Sequence, residues 1–278
     1  TLFRSTIDIL HQKAAEKVMA EALREQNRIT APHNRRIISA GEIPLSGADS
    51  VKKIKFAVEL ENTLAHELDL VSLITGSEAV NSKLSRAIER YENIVNSSRA
   101  QGALIAIDPE SGGIRALVGG AGFSSKNQLN RAIQSRRQPG SAFKIFVYGA
   151  AIDEEKITPA SQFFDAPVTY RSRKETWSPS NYGKDFTGLV LARRALALSL
   201  NVVPARIYSI TGGEAIAEFA SKTSGLRYSE FEIDPTLSLG TTELTPLEMT
   251  RGIAAYANGG ISVTPHTITE IKNPDGTV

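Results

Sequence analysis

Two residues, Ser141 and Lys144, have the types and spacing of a nucleophile and its base. They open an apolar segment that follows Pro139-Gly140, so a helix beginning there places both side chains on one side. A serine hydroxyl is a weak nucleophile and needs a base. Burial disfavours the charged form of lysine and lowers its pKa from about 10.4, so the amine becomes a usable base. The spacing is compatible with serine-based acyl transfer, but the same pattern occurs by chance in many proteins, and taken alone it fits an N-cap serine followed by a surface lysine better.

A second polar pair, Ser199 and Asn201, lies where the apolar stretch RRALALSL gives way to NVVPAR. A serine there can pass a proton between a lysine and a leaving group, and an asparagine amide can hold a substrate carbonyl. The alternative is an ordinary helix end with polar caps.

The sequence offers no recognisable alternative to Ser141 and Lys144 as a nucleophile and its base. The four histidines form no recognisable constellation with a serine, and no Gly-x-Ser-x-Gly elbow is present. The absence of cysteine excludes disulfides, thiolate metal sites and a cysteine nucleophile. If Ser141 is a nucleophile, the sequence supports a serine/lysine mechanism.

The apolar pattern predicts the helices and strands that surround these residues. Residues 141–155 are apolar almost all round and predict a buried helix. Residues 103–108 and 114–120 predict a β-hairpin around a Pro/Gly/Ser turn. Further helices are predicted over 7–26, 51–96, 189–199, 201–210, 212–226 and 245–260, the last ended by Asn258-Gly259-Gly260. The tail from Ile261 predicts a strand, a turn and the beginning of another strand. A loop or irregular strands are predicted over 30–50, and loops over 121–138 and 156–188.

Composition limits the class of protein. The chain has 278 residues, 41% of them hydrophobic and 22% charged, which is typical of a globular protein with a sizeable core. The net charge of +2 argues against a nucleic-acid partner. The first residues do not form a signal peptide, and no apolar run of about 18 residues is present to span a membrane. We expect any export or anchoring signal to lie outside this chain.

The motifs also occur in a wider context that resembles the class A penicillin-binding proteins. The matching segments occur in the same order as in the family over most of the chain, and together they are specific to that family. They are STIDILHQKAAEKV (5–18), ALIAIDPESGGIRALVGG (103–120), NRAIQSRRQPGSAFK (130–144), TWSPSNYGKDFTG (176–188), RRALALSLNVVPARI (193–207) and LSLGTTELTPLEMTRGIAAYANGG (237–260).

The resemblance implies a role for each matched residue. Ser141 attacks the carbonyl of a peptidoglycan stem peptide, and Lys144 is its base. Ser199 relays a proton to the departing D-alanine, and Asn201 holds the substrate amide. The backbone N–H of Ser141 forms half of an oxyanion hole.

The cleft and the fold follow from the same resemblance. Trp177 and Asn181 are implied to line the substrate-binding cleft, with Gly240 and Thr241 as structural supports of it. The implied fold is α/β (α+β), of the penicillin-binding transpeptidase and serine β-lactamase type, with an antiparallel sheet flanked by helices and an all-helical subdomain. We expect residues 1–100 to be an interdomain linker and mostly helical spacer, and 101–278 to be the transpeptidase domain.

Three departures from the family pattern stand out. Ile145 replaces a frequent proline, which matters little in a first helical turn. Residues 31–100 match no segment of the family. No Lys-Thr-Gly occurs in the chain, so the domain is expected to be truncated before that strand and to leave an exposed sheet edge beside the hairpin. The missing strands would come from the same polypeptide or from a second chain.

The implied function is a D,D-transpeptidase that cross-links peptidoglycan and is a target of β-lactams. The alternatives are a D,D-carboxypeptidase or serine β-lactamase relative, and a non-catalytic β-lactam-sensing or scaffold domain. The expected partners are donor and acceptor stem peptides, with a glycosyltransferase domain and a membrane anchor preceding this chain. The expected location is the outer face of the cytoplasmic membrane. No metal or organic cofactor is expected.

Overall fold

The computed structural model describes most of the chain outside one long segment. The described residues are 2–39, 100–125, 127–171 and 176–273. The chain divides into two compact units, the first formed by Thr1–Met19 with Gly102–Val278 and the second by Ala20–Gln101. The helical stretch predicted over 51–96 lies outside the described residues.

The described residues form α-helices, short strands and 3₁₀ turns. The strands are β1 Leu2–Ser5, β2 Leu104–Ile107, β3 Ile114–Val118, β4 Gln162–Asp165, β5 Tyr170–Arg171, β6 Thr176–Trp177, β7 Gly188–Leu191 and β8 Ile268–Lys272. The α-helices are α1 Ile9–Ser39, α2 Arg131–Gln134, α3 Lys144–Asp153, α4 Ala192–Ala197, α5 Val202–Thr211, α6 Gly213–Ser224 and α7 Pro246–Ala257. Short 3₁₀ turns span Gly140–Phe143, Tyr228–Glu230 and Pro235–Leu239.

The strands pair antiparallel in four two-stranded ladders: β1 with β8, β2 with β3, β4 with β7 and β5 with β6. Thr6 joins the first two ladders, because its Oγ1 donates to the carbonyls of Ile114 at 2.9 Å and His266 at 3.0 Å. A parallel bridge between Gly113 and His266 adds to this join. Within the described residues β2 pairs with β3 alone, so its other edge carries no strand.

The core of the first unit surrounds α3. Phe146 and Val147 of this helix are fully buried, as is Phe143 just before it. Helices α5 and α6 pack against α3, and α6 also packs against α7. Burial on every side explains why the α3 sequence lacks a polar face.

Local signals set the ends of the later helices. α6 ends at Gly225, which takes a left-handed conformation. α7 begins with a capping box, in which Thr245 and Glu248 satisfy each other's backbone N–H groups. The predicted helices 141–155, 201–210, 212–226 and 245–260 and the predicted hairpin are confirmed within three residues at each end.

Other predictions need correction. Residues 156–188 were expected to be a loop but contain β4, β5 and β6, and residues 189–191 belong to β7 rather than to a helix. These strands are two to four residues long, which is too short to show a period of two.

The first helix is longer than predicted. α1 continues through Pro32 to Ser39, so the loop predicted from residue 30 is wrong for residues 30–39, and residues 40–50 lie outside the described part. A proline disfavours a helix interior by about 3 kcal/mol, but this penalty acts at one position. Good helix formers on both sides, such as Arg28 and Arg35, continue the helix. No helix of the described residues is long and apolar enough to cross a membrane.

Candidate active site

Ser141 lies in the 3₁₀ turn Gly140–Phe143 that leads directly into α3. The Lys144 N–H donates to the Ser141 carbonyl across this turn. Side chains three residues apart eclipse in a 3₁₀ turn, so Ser141 and Lys144 project the same way. Ser141 is exposed, and within the described part of the chain neither its hydroxyl nor its backbone N–H has a hydrogen-bond partner. Both groups are therefore available to a ligand.

Two glycines in left-handed conformations bring a second segment against this turn. Gly140 has φ 56° and Gly240 has φ 79°, and the Gly140 N–H donates to the Gly240 carbonyl at 3.2 Å. A Cβ at position 240 would collide with the Gly140 carbonyl oxygen and lie 2.7 Å from Cβ of Phe143. Arg137 and Leu244 exchange two backbone hydrogen bonds nearby, at 3.1 and 3.0 Å. The segment from 235 to 245 thus supports the serine turn.

Lys144 is almost completely buried, with 1% of its surface exposed. Its Nζ donates to Oδ1 of Asn201 at 2.7 Å, to the Ser199 carbonyl at 2.8 Å and to Ser199 Oγ at 3.2 Å. Burial lowers the pKa of Lys144 from its ordinary 10.5 to about 8. The structure thus brings three of the four predicted catalytic residues into direct contact, and it places the fourth, Ser141, one turn before Lys144.

Ser199 owes its position to the end of α4. The N–H of Ser199 donates to the Leu196 carbonyl at 2.9 Å, and the N–H of Leu200 donates to the Ala195 carbonyl at 3.0 Å. These two bonds define a Schellman ending, and the residue in the left-handed position is Ser199, with φ 52°. Glycine usually occupies that position because a Cβ disfavours it. The turn points both the carbonyl and the hydroxyl of Ser199 at Lys144.

Asn201 is fixed at its backbone and at its side chain. Its backbone N–H donates to Oδ1 of Asn181 at 2.8 Å, and its Nδ2 donates to the Ser180 carbonyl at 2.8 Å. Its Oδ1 therefore faces Lys144. A primary amide carries two N–H donors, so one N–H of Asn201 remains for a substrate carbonyl.

Asn181 is 7% exposed, and its Oδ1 accepts the backbone N–H of Asn201. Its Nδ2 donates to both carboxylate oxygens of Asp165, at 3.1 and 3.0 Å, and to the Asp185 carbonyl at 2.9 Å. Both N–H donors of Asn181 thus have protein partners. The substrate contact expected of Asn181 stays a prediction.

The other expected cleft residues are placed as follows. Trp177 lies on β6 and contacts Tyr170 of β5, with ring centroids 5.6 Å apart. Thr241 Oγ1 lies 3.1 Å from Thr236 Oγ1, beside the turn that Gly240 caps. Within the described residues neither Trp177 nor Thr241 has a hydrogen bond to Lys144, Ser199 or Asn201. The expected roles of Trp177 in lining the cleft and of Thr241 in supporting it stay predictions.

Neither Asp165 nor the Ser180 carbonyl was recognisable from the sequence as part of the site. Asp165 is separated from its partner Asn181 by a segment without a period, and no local motif joins the two. A main-chain carbonyl has no sequence signature at all. Among the described residues no group of His, Cys, Asp or Glu side chains could hold a metal ion.

Comparison with known proteins gives a consistent result. Residues 102–278 match the family described as penicillin binding protein transpeptidase domain. Penicillin-binding protein 1A of Neisseria gonorrhoeae is 33% identical over an alignment that covers 98% of this chain and 38% of that protein. The chain therefore spans less than half the length of this relative.

Solved structures give the same family. The crystal structure of penicillin-binding protein 1A from Haemophilus influenzae is 32% identical with a TM-score of 0.60, and the match covers 64% of this chain and 26% of that one. A penicillin G acyl-enzyme complex of penicillin-binding protein A from Mycobacterium tuberculosis is 26% identical with a TM-score of 0.52, covering 64% of this chain and 50% of that one. The fold expected from the sequence is thereby confirmed, and the chain belongs to the penicillin-binding protein transpeptidase family.

Proposed function

We propose that this chain carries the acylation machinery of a D,D-transpeptidase, which cross-links peptidoglycan stem peptides and is a target of β-lactams. The proposal rests on Lys144, which is buried and has a pKa lowered to about 8. This lysine lies one turn after the exposed Ser141. The penicillin G acyl-enzyme of the Mycobacterium tuberculosis relative supports the proposal.

Acylation begins with the neutral form of Lys144. Its Nζ takes the proton of the Ser141 hydroxyl while Oγ attacks the carbonyl carbon between the last two D-alanines of a donor stem peptide. The oxygen of that carbonyl gains negative charge. The free backbone N–H of Ser141 stabilises this charge as one donor of an oxyanion hole.

The leaving group departs as the C–N bond breaks. Ser199 Oγ accepts a hydrogen bond from Lys144 Nζ, so its own proton is free to reach the D-alanine nitrogen. Lys144 then returns the abstracted proton to Ser199. The free N–H of Asn201 holds the donor peptide's amide carbonyl during this step.

Cross-linking repeats these steps in reverse. An amine of an acceptor stem peptide attacks the ester carbon and gives up a proton to the Lys144–Ser199 pair. The ester bond to Ser141 breaks, and Oγ recovers its proton. The product is a new amide bond, and the enzyme is restored without a metal or an organic cofactor.

Partners and location belong to this proposal. A strand that bears Lys-Thr-Gly, from the same polypeptide or a second chain, is proposed to pair with the free edge of β2 and to complete the cleft. A glycosyltransferase domain and a membrane anchor are proposed to precede the chain in the full-length protein. Cross-linking then takes place on the outer face of the cytoplasmic membrane.

Intact mass after incubation with benzylpenicillin tests the function. The samples are this chain, a version extended by a Lys-Thr-Gly strand, and Ser141→Ala in each. We expect a mass gain of one drug molecule, absent in both Ser141→Ala controls.

Three outcomes distinguish the proposal from a β-lactamase relative and from a scaffold. Labelling of the extended version alone assigns part of the site to the added strand. Rapid release of hydrolysed drug favours a β-lactamase relative. A folded, extended protein that takes up no drug contradicts the proposal and leaves a scaffold.

A further inference from the structure

Asp165 is a completely buried carboxylate at the end of β4, and the mechanism above does not use it. All of its hydrogen-bond partners in the described residues are donors. Oδ2 accepts from the Thr187 N–H at 2.8 Å, from Thr187 Oγ1 at 3.0 Å and from Asn181 Nδ2 at 3.0 Å. Oδ1 accepts from Asn181 Nδ2 at 3.1 Å. A carboxylate accepts only, so it determines which end of the Asn181 amide faces it.

The orientation of Asn181 passes to the next residue. With Nδ2 directed at Asp165 and at the Asp185 carbonyl, Oδ1 of Asn181 must face the opposite way. There it accepts the backbone N–H of Asn201 at 2.8 Å. If the amide of Asn181 were reversed, two N–H groups would face each other at that point.

Asn201, held at its backbone by Asn181, contacts the lysine through its side chain. The Ser180 carbonyl also only accepts, and it takes Nδ2 of Asn201 at 2.8 Å. This leaves Oδ1 of Asn201 to receive Lys144 Nζ at 2.7 Å, the shortest of the lysine's three hydrogen bonds. Hydrogen bonds therefore connect the buried carboxylate through Asn181 to the backbone N–H of Asn201, and the side chain of this same residue, oriented by the Ser180 carbonyl, accepts from the catalytic ammonium.

We propose that Asp165 is a positioning residue for acylation, which acts through the side chain of Asn181 to hold Asn201 against Lys144. The inference rests on the proposed function of Ser141 and Lys144. Asp165 touches neither the substrate nor the lysine, so its effect is on the geometry and the proton affinity of Lys144.

The competing explanation is that Asp165 only ties β4 to the loop before β7 through Thr187. Another buried group near the carboxylate is Tyr148 of α3, whose pKa is raised by burial and by the charge of Asp165. Tyr148 Oη has no hydrogen-bond partner within the described residues. The two explanations differ in what they predict for the acylation rate constant and for the pKa of Lys144.

The test compares three substitutions in the full-length protein. Asp165→Asn keeps the shape but places an N–H donor against Asn181 or Thr187. Thr187→Val removes one donor to Asp165 and leaves the bonds to Asn181. Asp185→Asn makes the same charge change at an exposed side chain nearby. Acylation by benzylpenicillin is followed by intact mass from pH 5.5 to 9.5.

The rate constant and the labelled fraction carry different information. Misfolded protein lowers the labelled fraction, whereas a misplaced base lowers the rate constant of the protein that does label. For Asp165→Asn we expect the rate constant to fall about 10- to 100-fold. We also expect its rise with pH to move toward acid by about half a unit, because a weakened hydrogen bond to the ammonium lowers the pKa of Lys144. Thr187→Val and Asp185→Asn should keep the rate constant and the pH profile.

A second variant keeps the test decisive if Asp165→Asn does not fold. Asn181→Ala removes the acceptor for the Asn201 N–H and should shift the pH profile in the same direction. Unchanged rate constants and profiles in the Asp165 or Asn181 variant would overturn the inference while the proposed function stands. So would a Thr187→Val variant with the same defect as Asp165→Asn. A parent protein that takes up no drug overturns the proposed function itself.

Discussion

At the scale of single residues, Lys144 shows how a site can lower a pKa without losing the lysine's position. Burial alone destabilises the ammonium strongly. Three oxygen acceptors, from Ser199 and Asn201, replace part of its hydration and keep the side chain in one place. The resulting pKa of about 8 lies near the working pH of most enzymes, where a general base is most effective.

The pKa of Lys144 predicts the pH dependence of acylation. At pH 7 roughly one lysine in ten is neutral with a pKa of about 8, against roughly one in three thousand at the ordinary value. In the proposed mechanism the neutral form is the base, so the rate constant should rise about tenfold between pH 6 and 7 and level off above pH 8. Quenched-flow mass measurement with benzylpenicillin checks this profile. A rate constant that does not change between pH 6 and 8 would show that another group is the base.

Lys144→Arg serves as the control for that profile. A guanidinium stays charged throughout this range, so acylation should fall by about 10² or more at every pH.

Ser199 predicts a separation of stability from activity. Ser199→Gly and Ser199→Ala both remove the hydroxyl, but only glycine adopts φ near 52° without strain. The glycine variant should therefore be about 1 kcal/mol more stable than the alanine variant. Both should be equally slow in acylation. Urea unfolding and drug labelling of the two proteins measure the difference, and an alanine variant of equal or greater stability would contradict the strain argument.

At the scale of elements, the 3₁₀ turn Gly140–Phe143 depends on Gly240. Gly240→Ala should force the two segments apart, destabilise the protein by about 2–3 kcal/mol and slow acylation. Gly259→Ala is the matched control, because Gly259 also has a positive φ, of 62°, but no atom lies within 4 Å of its added Cβ. The control should lose only the left-handed cost of about 1 kcal/mol and keep its acylation rate. Equal effects in both variants would refute the close-packing argument.

Some helices and site residues were predictable from the sequence, and others were not. α6 and α7 were predictable because Gly225 and Asn258-Gly259-Gly260 mark their ends, and α3 because its apolar run is long. Ser141 and Lys144 were predictable because a single turn holds both. The link from Asp165 through Asn181 to Asn201 was not predictable, since it depends on the pairing of β4 with β7, and strands this short leave no periodic signal. The left-handed conformation of Ser199 was not predictable either, because glycine rather than serine is the usual residue at that position.

At the scale of the whole molecule, the edge of β2 that has no paired strand among the described residues has a physical consequence. An edge strand with free backbone groups promotes self-association. This chain alone should form oligomers at about 100 µM, while a version extended by a Lys-Thr-Gly strand should stay monomeric and resist more urea. Sedimentation velocity of both proteins tests this. A monomeric short chain with the same urea midpoint would argue that the edge is already covered.

The ladder of β1 with β8 bears on the order in which the molecule folds. Thr6 and His266 are 260 positions apart, yet they share a hydrogen bond. Closing so long a loop has a large entropy penalty that nearby contacts cannot offset until the intervening chain is in place. This ladder should therefore be among the last parts to form. Its amides should exchange with deuterated solvent through local opening, well before those of α3, which exchange only when the core unfolds.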